Sequence, residues 1–134
     1  MTYMLDTDIC IYIIKQKPKG VSKRLESLPP SQLVMSAITF AELMNGAKKS
    51  QHIEENVHKL NALSELIEIR PFGRKAAVAY GDIRSDLEKR GEIIGANDLL
   101  IGAHALSLGW ILVTNNEKEF SRIQGLKVEN WVKQ

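Results

Sequence analysis

Short apolar runs alternate with longer segments of helical periodicity along the whole chain. The runs YML, LVM, IEI and ILVT have the length and content of strands, YML of a buried one, and LKVE is a candidate for a fifth strand. Between them, apolar side chains recur every three or four positions, which is typical of amphipathic helices. This alternation predicts an α/β sandwich in which helices cover both faces of a mostly parallel sheet of four to five strands. The predicted strands are 3–5, 33–35, 67–69, 111–114 and, at an edge of the sheet, 126–129.

Residues at the ends of the predicted helices indicate where each helix begins and ends. Thr7 or Asp8 is expected to cap the first helix by accepting a hydrogen bond from a free backbone N–H. Ser36 is expected to cap the helix after the second strand, and Gly91 to end the helix over 74–90. The remaining helices are predicted over 9–15, 21–28, 37–50, 53–64, 98–108 and 117–122.

Composition limits the classes of protein to which the chain can belong. Its 134 residues correspond to one domain, which we place over 1–134. The single cysteine, Cys10, lies in an apolar run, so we expect a buried thiol, no intrachain disulfide and a cytoplasmic protein. Apolar runs are far shorter than a membrane span, and a net charge of +2 does not by itself indicate a nucleic-acid binder. The arrangement of individual charges is therefore more informative than their sum.

Four carboxylates lie next to apolar runs in segments spread along the chain. Asp6 follows the first strand, Glu42 lies on the helix after the second, Asp98 opens a later helix, and Glu119 follows the fourth strand. Ligands of parallel sheets bind beyond the carboxyl ends of the strands, where Asp6, Glu42 and Glu119 are expected to meet. Asp98 joins them if the loop before its helix returns to that end of the sheet. Clustered carboxylates repel each other unless a cation neutralises them. We predict Asp6, Glu42 and Asp98 as ligands of Mg²⁺, for which Mn²⁺ can substitute.

Several polar side chains are candidates for contact with RNA or water near these acids. Lys15 belongs to a basic stretch without acidic residues, which is either a solvated helix face or a surface that follows a phosphate backbone. Arg84 is a second candidate for binding a phosphate. Thr114, Asn115 and Asn116 follow the fourth strand, where they are expected to orient water or a phosphate oxygen.

The three histidines show no spacing typical of a zinc site. His104 is predicted to make a hydrogen bond in the core, whereas His52 and His58 lie in a polar segment and are predicted to be exposed.

Taken in order, four stretches resemble the PIN-domain ribonucleases and, more narrowly, the VapC toxins of VapBC toxin–antitoxin pairs. They are YMLDTDICIYIIK, LVMSAITFAELMNGAKKS, GEIIGANDLLIGAHALSLG and ILVTNNEKEFSRIQGLKVENW. The resemblance implies a compact α/β/α sandwich and Mg²⁺- or Mn²⁺-dependent hydrolysis of RNA. It also implies a homodimer that a cognate VapB antitoxin inhibits, and transfer RNA, including initiator transfer RNA, as the substrate class.

Carried over by position, the first aspartate of the family falls on Asp6, its helix glutamate on Glu42 and its later aspartate on Asp98. The chain departs from the family pattern twice: Asp8 stands where Asn or Ser is usual, and Asn116 where many PIN domains have an aspartate. The fourth polar position is therefore Glu119, Asn116 or, through water, Asp8.

Two other functions compete with this interpretation. A phosphatase or phosphate-accepting receiver also groups acids at a sheet edge, but a receiver needs an aspartate after its third strand, where this chain has IEIRPF. The alternative within the family is a catalytically inactive PIN-like module that acts only through its antitoxin complex. The presence of Asp6, Glu42 and Asp98 counts against that alternative.

Overall fold

A computed structural model describes residues 1–132 and contains one parallel sheet of five strands. The spatial order is β3-β2-β1-β4-β5, and every neighbouring pair is parallel. This confirms the predicted α/β sandwich, including the fifth strand at the edge. The strands are β1 Tyr3–Leu5, β2 Leu33–Ser36, β3 Glu68–Arg70, β4 Ile111–Val113 and β5 Lys127–Glu129.

Seven helices within residues 1–132 connect and cover the strands. They are α1 Thr7–Lys15, α2 Lys19–Glu26, α3 Ala37–Lys48, α4 Ile53–Leu66, α5 Arg74–Arg90, α6 Ala96–Ser107 and α7 Glu117–Phe120. Helix α2 begins and ends two residues earlier than predicted, α4 runs two residues further, and β3 lies one residue later. A short 3-10 turn, Pro30–Gln32, was not predicted; it leads directly into β2. None of these helices is both long and apolar enough to cross a membrane.

Two apolar clusters cover the opposite faces of the sheet, as expected for a sandwich. Side chains alternate along β1, so that Tyr3 and Leu5 pack on one side and Met4 on the other. The first cluster includes Ile9, Cys10, Leu33, Met35, Leu60 and Trp131. The second includes Val34, Leu87, Leu99, Ile101, Leu112 and Phe120. Burial on both faces explains why the three inner strands, β1, β2 and β4, are predominantly apolar, whereas the edge strands β3 and β5 also carry charged residues.

The cap of α1 differs from the sequence prediction. Asp6, and not Thr7 or Asp8, is the capping residue, and its Oδ1 accepts a hydrogen bond from Ile9 N–H at 2.9 Å. The prediction was wrong because β1 leads into α1 without a spacer, so Thr7 and Asp8 already lie inside the helix. Ser36 caps α3 by accepting from Ile38 N–H, as predicted.

Strand β1 is central because the chain places β2 on one side of it and β4 on the other. The carboxyl ends of β1 and β4 therefore lie side by side, and Asp6 N–H donates to the Val113 carbonyl at 3.0 Å. Such a reversal of strand order opens a crevice at the sheet edge, where α/β proteins commonly bind ligands.

Candidate active site

Asp6 lies at the base of this crevice and is almost completely buried, with 4% of its surface exposed. Its carboxylate accepts hydrogen bonds from Ile9 N–H and from the Thr114 hydroxyl. Burial nevertheless raises the pKa of Asp6 to about 7, and the charges of Asp8 and Asp98 add to the effect. Two hydrogen bonds are thus insufficient to offset desolvation and repulsion of this carboxylate.

Asp98 lies in the first turn of α6 and is half-buried. Its pKa is raised to about 6, first by burial and then by the charges of Glu119, Glu42 and Asp8; a hydrogen bond from Asn116 opposes the shift. The loop before α6 therefore returns to the edge at which β1 and β4 end. The structure brings together the three acids that the sequence assigned to a metal, with Glu119 beside them.

Glu42 reaches this site from the middle of α3, and both of its carboxylate oxygens accept hydrogen bonds. Oε1 accepts from the Thr7 hydroxyl at 2.5 Å, and Oε2 accepts from the Asn97 side-chain amide at 3.0 Å. Glu42 is half-buried, as its apolar surroundings in sequence predicted. These contacts join the starts of α1 and α6 to α3.

Asn116 and Glu119 form the side of the site that follows β4. The Asn116 side-chain amide donates to Glu119 Oε2, and Gly95 N–H lies 3.4 Å from Glu119 Oε1. Asn116 N–H in turn donates to the Thr114 hydroxyl at 2.9 Å. Because Asn116 also bonds Asp98, it connects two of the acids. Two of the three candidates for the fourth polar position, Asn116 and Glu119, therefore belong to the site. The third, Asp8, is exposed in the first turn of α1, and its charge acts on Asp6 and Asp98.

The chemistry of these side chains suits a hard divalent cation. The donors are carboxylate and amide oxygens, and like charges raise the pKa of Asp98, so a cation would relieve repulsion. Within residues 1–132, however, no group of three Asp, Glu, His or Cys side chains is arranged to hold a metal ion. Mg²⁺ commonly takes only one or two carboxylates and completes its shell with water and substrate phosphate. Asp6 and Asp98 fit that requirement, whereas Glu42 is engaged by Thr7 and Asn97.

The candidate RNA contacts differ in how exposed they are and in which groups they bond. Lys15 is exposed and borders a groove beside Glu42. Arg84 is exposed on α5, where it donates to Tyr80 Oη at 2.7 Å and to Glu88 at 3.3 Å. Thr114 is fully buried, and its hydroxyl contacts Asp6 and Asn116, which favours orientation of these side chains. The Asn115 side chain accepts from Asn130 at 3.2 Å.

The histidines and the cysteine lie where the sequence predicted. His104 is buried and its Nδ1 lies 2.8 Å from the Ser36 hydroxyl, while His52 and His58 are exposed. Cys10 is fully buried in the core, and burial raises the pKa of its thiol. A buried, protonated thiol is unreactive, so Cys10 contributes packing.

Sequence reasoning missed Thr7 and Asn97 as members of the site. Each directly precedes or follows a candidate acid along the chain: Thr7 follows Asp6, and Asn97 precedes Asp98. Their adjacency to two assigned aspartates was an available signal. It was uninformative alone, because polar residues are common at helix starts for reasons of capping.

A groove of about 430 Å³ begins at Glu42 and runs between α1, α3 and α4. Thr7 and Glu42 lie at its polar end. Apolar side chains form most of its walls, and Lys15 and Lys59 stand at its rim. The apolar wall residues are Ile11, Ile14, Leu43, Ala47 and Leu60.

The sequence of this chain matches the PIN domain family over residues 3–126. The chain belongs to the PIN-domain family, in its VapC group. It is 46% identical over 134 residues to Ribonuclease VapC2 of Rickettsia felis, covering 99% of this chain and 100% of that protein. It is 40% identical over 131 residues to the tRNA(fMet)-specific endonuclease VapC of Shigella flexneri, covering 98% of each.

Solved structures place the same fold in VapBC complexes. This PIN domain superposes on a chain of VapBC2 from Rickettsia felis, bound to a DNA fragment from its promoter, with a TM-score of 0.91. The two chains are 44% identical, with 98% of this chain and 99% of that chain covered. VapBC-1 from nontypeable Haemophilus influenzae gives a TM-score of 0.90 at 43% identity, covering 98% of both chains. The agreement in fold extends across nearly the whole domain.

Proposed function

We propose that this PIN domain is a cytoplasmic, Mg²⁺-dependent endoribonuclease toxin that cleaves transfer RNA and is neutralised by a VapB-type antitoxin. The observation that carries the proposal is the group of mutually repelling carboxylates at the ends of β1 and β4. Burial and neighbouring charges raise the pKa of Asp6 to about 7 and of Asp98 to about 6. Strongly perturbed carboxylates in a crevice are typical of catalytic sites.

Asp6 and Asp98 are the residues that would hold the cation through their carboxylate oxygens. When bound, Mg²⁺ or Mn²⁺ supplies positive charge for the phosphate and lowers the pKa of an attacking water. Thr114 keeps the Asp6 carboxylate in place through its hydroxyl, and Asn116 does the same for Asp98. Glu119 adds a further negative charge next to Asp98 and is held by Asn116.

Transfer RNA is the proposed substrate because relatives 38–40% identical to this chain carry that specificity in their names. Sequence-specific proteins read RNA mainly in single-stranded loops, whose bases can turn outward. An open site at a sheet edge is accessible to such a loop, and an anticodon loop of initiator transfer RNA is the substrate we expect. Lys15 and Arg84, both exposed, are proposed to contact flanking phosphates.

The apolar groove between α1, α3 and α4 is the proposed binding site of the antitoxin. A segment of VapB with apolar side chains would cover Ile11, Ile14 and Leu60. Since the groove ends at Glu42, a basic side chain of that segment would reach the carboxylates and compete with the cation. Neighbouring structures are complexes of VapC-type chains with their antitoxins, which supports this partner. We also propose that the free protein is a homodimer.

Cleavage of purified initiator transfer RNA tests the activity, with wild type and Asp6→Asn assayed under EDTA, Mg²⁺ and Mn²⁺. We expect cleavage only by wild type with a cation, and its loss when the co-expressed VapB is bound. Elongator transfer RNAs serve as matched substrates. No cleavage of any transfer RNA by wild type with either cation, beside stable binding of VapB, would favour the catalytically inactive module instead. Equal cleavage by Asp6→Asn would contradict the assigned site.

A further inference from the structure

One carboxylate connects the two chain segments that carry the central aspartates. Glu42 Oε1 accepts from Thr7 at 2.5 Å, and Glu42 Oε2 accepts from Asn97 at 3.0 Å. Thr7 is the residue after Asp6 in the first turn of α1, and Asn97 is the residue before Asp98 in the first turn of α6. The side chain of Glu42 is therefore a bridge from α1 to α6 that originates on a third helix.

We propose that Thr7 and Asn97 are positioning residues that act through Glu42 to hold Asp6 and Asp98 at a fixed separation. The inference rests on the proposed function, because a fixed separation matters only if the two aspartates share a ligand. Glu42 then contributes to the site through its hydrogen bonds, in addition to its charge. We call the Thr7–Glu42–Asn97 contact the tether.

The tether opposes a force that is present in the protein itself. Asp6 and Asp98 repel each other, and Glu42 adds a charge that also repels Asp98. Segments bearing like charges move apart unless other contacts hold them. Hydrogen bonds to an ionised acceptor are about twice as strong as neutral ones, so a carboxylate is a suitable centre for such a contact. Without the tether, the start of α6 loses its direct side-chain connection to Glu42 on α3.

The distribution of donors supports the same role. Thr7 offers a hydroxyl and Asn97 an amide, and each reaches a different oxygen of the same carboxylate. Two donors on two oxygens fix both the position and the rotation of the group. Residues that orient metal-binding side chains typically change metal affinity or activity by about 10–100-fold when they are replaced.

A double-mutant cycle on the metal-free protein tests the tether. Thr7→Val keeps the shape of the side chain and removes its hydroxyl, Asn97→Ala removes the amide, and the double variant removes both. Thr2→Val and Asn45→Ala are matched controls, the latter on the exposed side of α3 one turn after Glu42. We expect each single variant to lower the melting temperature. The double variant should melt close to the single variant that has the lower melting temperature. Additive shifts would overturn the tether, since independent contacts add.

Calorimetric titration with MnCl₂, at a temperature where all variants are folded, tests positioning. We expect Thr7→Val and Asn97→Ala to bind Mn²⁺ about tenfold or more weakly, and Thr7→Ser, which retains the hydroxyl, to bind as wild type. Lower melting temperatures with unchanged Mn²⁺ affinity would assign these residues a structural role only and overturn the inference. If wild type itself binds no Mn²⁺, the metal requirement of the proposed function fails, and the positioning role fails with it.

Discussion

Two polar regions beside the sheet, one neutral and one acidic, are equally well hydrogen bonded and differ in charge. In the neutral region, His104 bonds the Ser36 hydroxyl and the Pro71 carbonyl and packs edge-on against Phe72. In the acidic region, Asp6 bonds Ile9 and Thr114, and the other acids have donors of their own. Across residues 1–132, no buried side-chain nitrogen or oxygen lacks a hydrogen-bond partner.

The pKa values separate the two regions. Burial, with help from the charge of Arg70, lowers the pKa of His104, so this ring stays neutral. Burial and neighbouring carboxylates raise the pKa of Asp6 and Asp98 to about 7 and 6. Near neutral pH these groups therefore ionise in surroundings that disfavour the charged form. A neutral buried group with its partners stabilises the fold, whereas clustered ionised groups destabilise it. Charge that the fold keeps at a cost to its stability therefore indicates the functional site.

The largest expected effect is on cleavage by the Asp98→Asn variant. Asparagine has nearly the same shape but no charge, so this variant should keep the packing of α6 and remove one of the two proposed cation ligands. We expect cleavage of initiator transfer RNA to fall by more than about 100-fold, which exceeds the usual effect of residues that only orient ligands. The metal-free variant should melt above wild type, because repulsion at the site is reduced. Gel assays and thermal melts measure the two effects.

Asp82→Asn is the matched control, since Asp82 is exposed on α5. It should cleave and melt as wild type. An Asp98→Asn protein that melts below wild type would contradict the assignment of repulsion to the acidic region, even if cleavage were lost.

Replacement of His104 in the neutral region should lower the stability of the fold and leave cleavage nearly unchanged. His104→Ala leaves the Ser36 hydroxyl and the Pro71 carbonyl without their partner and opens a cavity beside Phe72. We expect a loss of about 2–4 kcal/mol in the free energy of unfolding, measured by urea denaturation. At a temperature where the variant is folded, cleavage should stay within a few-fold of wild type. A stable but inactive His104→Ala protein would move this region into the functional site.

The pH dependence of stability sharpens the contrast in the metal-free protein. The pKa of Asp6 is raised in the folded state from 3.8 to about 7, so its stabilising contribution is fully present below about pH 4. That contribution is lost as the pH rises through about 7, and Asp98 acts in the same direction through about 6. Since each pKa unit corresponds to about 1.4 kcal/mol, in EDTA we expect the free energy of unfolding to decline over this range by several kcal/mol, mainly through the deeply buried Asp6.

The Asp6→Asn variant isolates the contribution of one carboxylate. Asparagine is as good a helix cap as aspartate, so α1 keeps its first turn. The decline in stability between pH 4 and 7 should become shallower in this variant. A curve that is parallel to that of wild type would show that Asp6 does not titrate as its burial indicates.

Most of the fold could be predicted because the strands are marked by apolar runs and the helix ends by specific residues. Gly91 ends α5 with a positive φ of 68°, and Ser36 caps α3, both as their residue types suggest. The misassigned cap at Asp6 has a physical cause. In this chain one carboxylate both caps a helix and belongs to the site, and sequence patterns favour dividing these roles between neighbouring residues.

The acidic members of the candidate site were predictable, but the contacts between them were not. Asp6 follows from its position after a strand, since parallel topology brings the strand ends to one edge. Asp98 was expected there only if the loop before α6 returned to that edge, which it does. The bonds of Glu42 to Thr7 and Asn97 span 35 and 55 residues of sequence. They depend on how α3 and α6 pack, which single-sequence periodicity does not determine.

The smallest expected effect distinguishes Glu119 from Asn116 within the acidic region. Glu119→Gln removes a charge that raises the pKa of Asp98, whereas Asn116→Ala removes an uncharged amide that donates hydrogen bonds to the Glu119 and Asp98 carboxylates. If charge defines this region, cleavage should fall more in Glu119→Gln than in Asn116→Ala, with both losses below that of Asp98→Asn. Rates titrated against Mn²⁺ measure the difference, and Glu65→Gln, at an exposed carboxylate of α4, is the control. A nearly normal Glu119→Gln protein beside an inactive Asn116→Ala protein would reverse the ranking and make the neutral amide the fourth essential group.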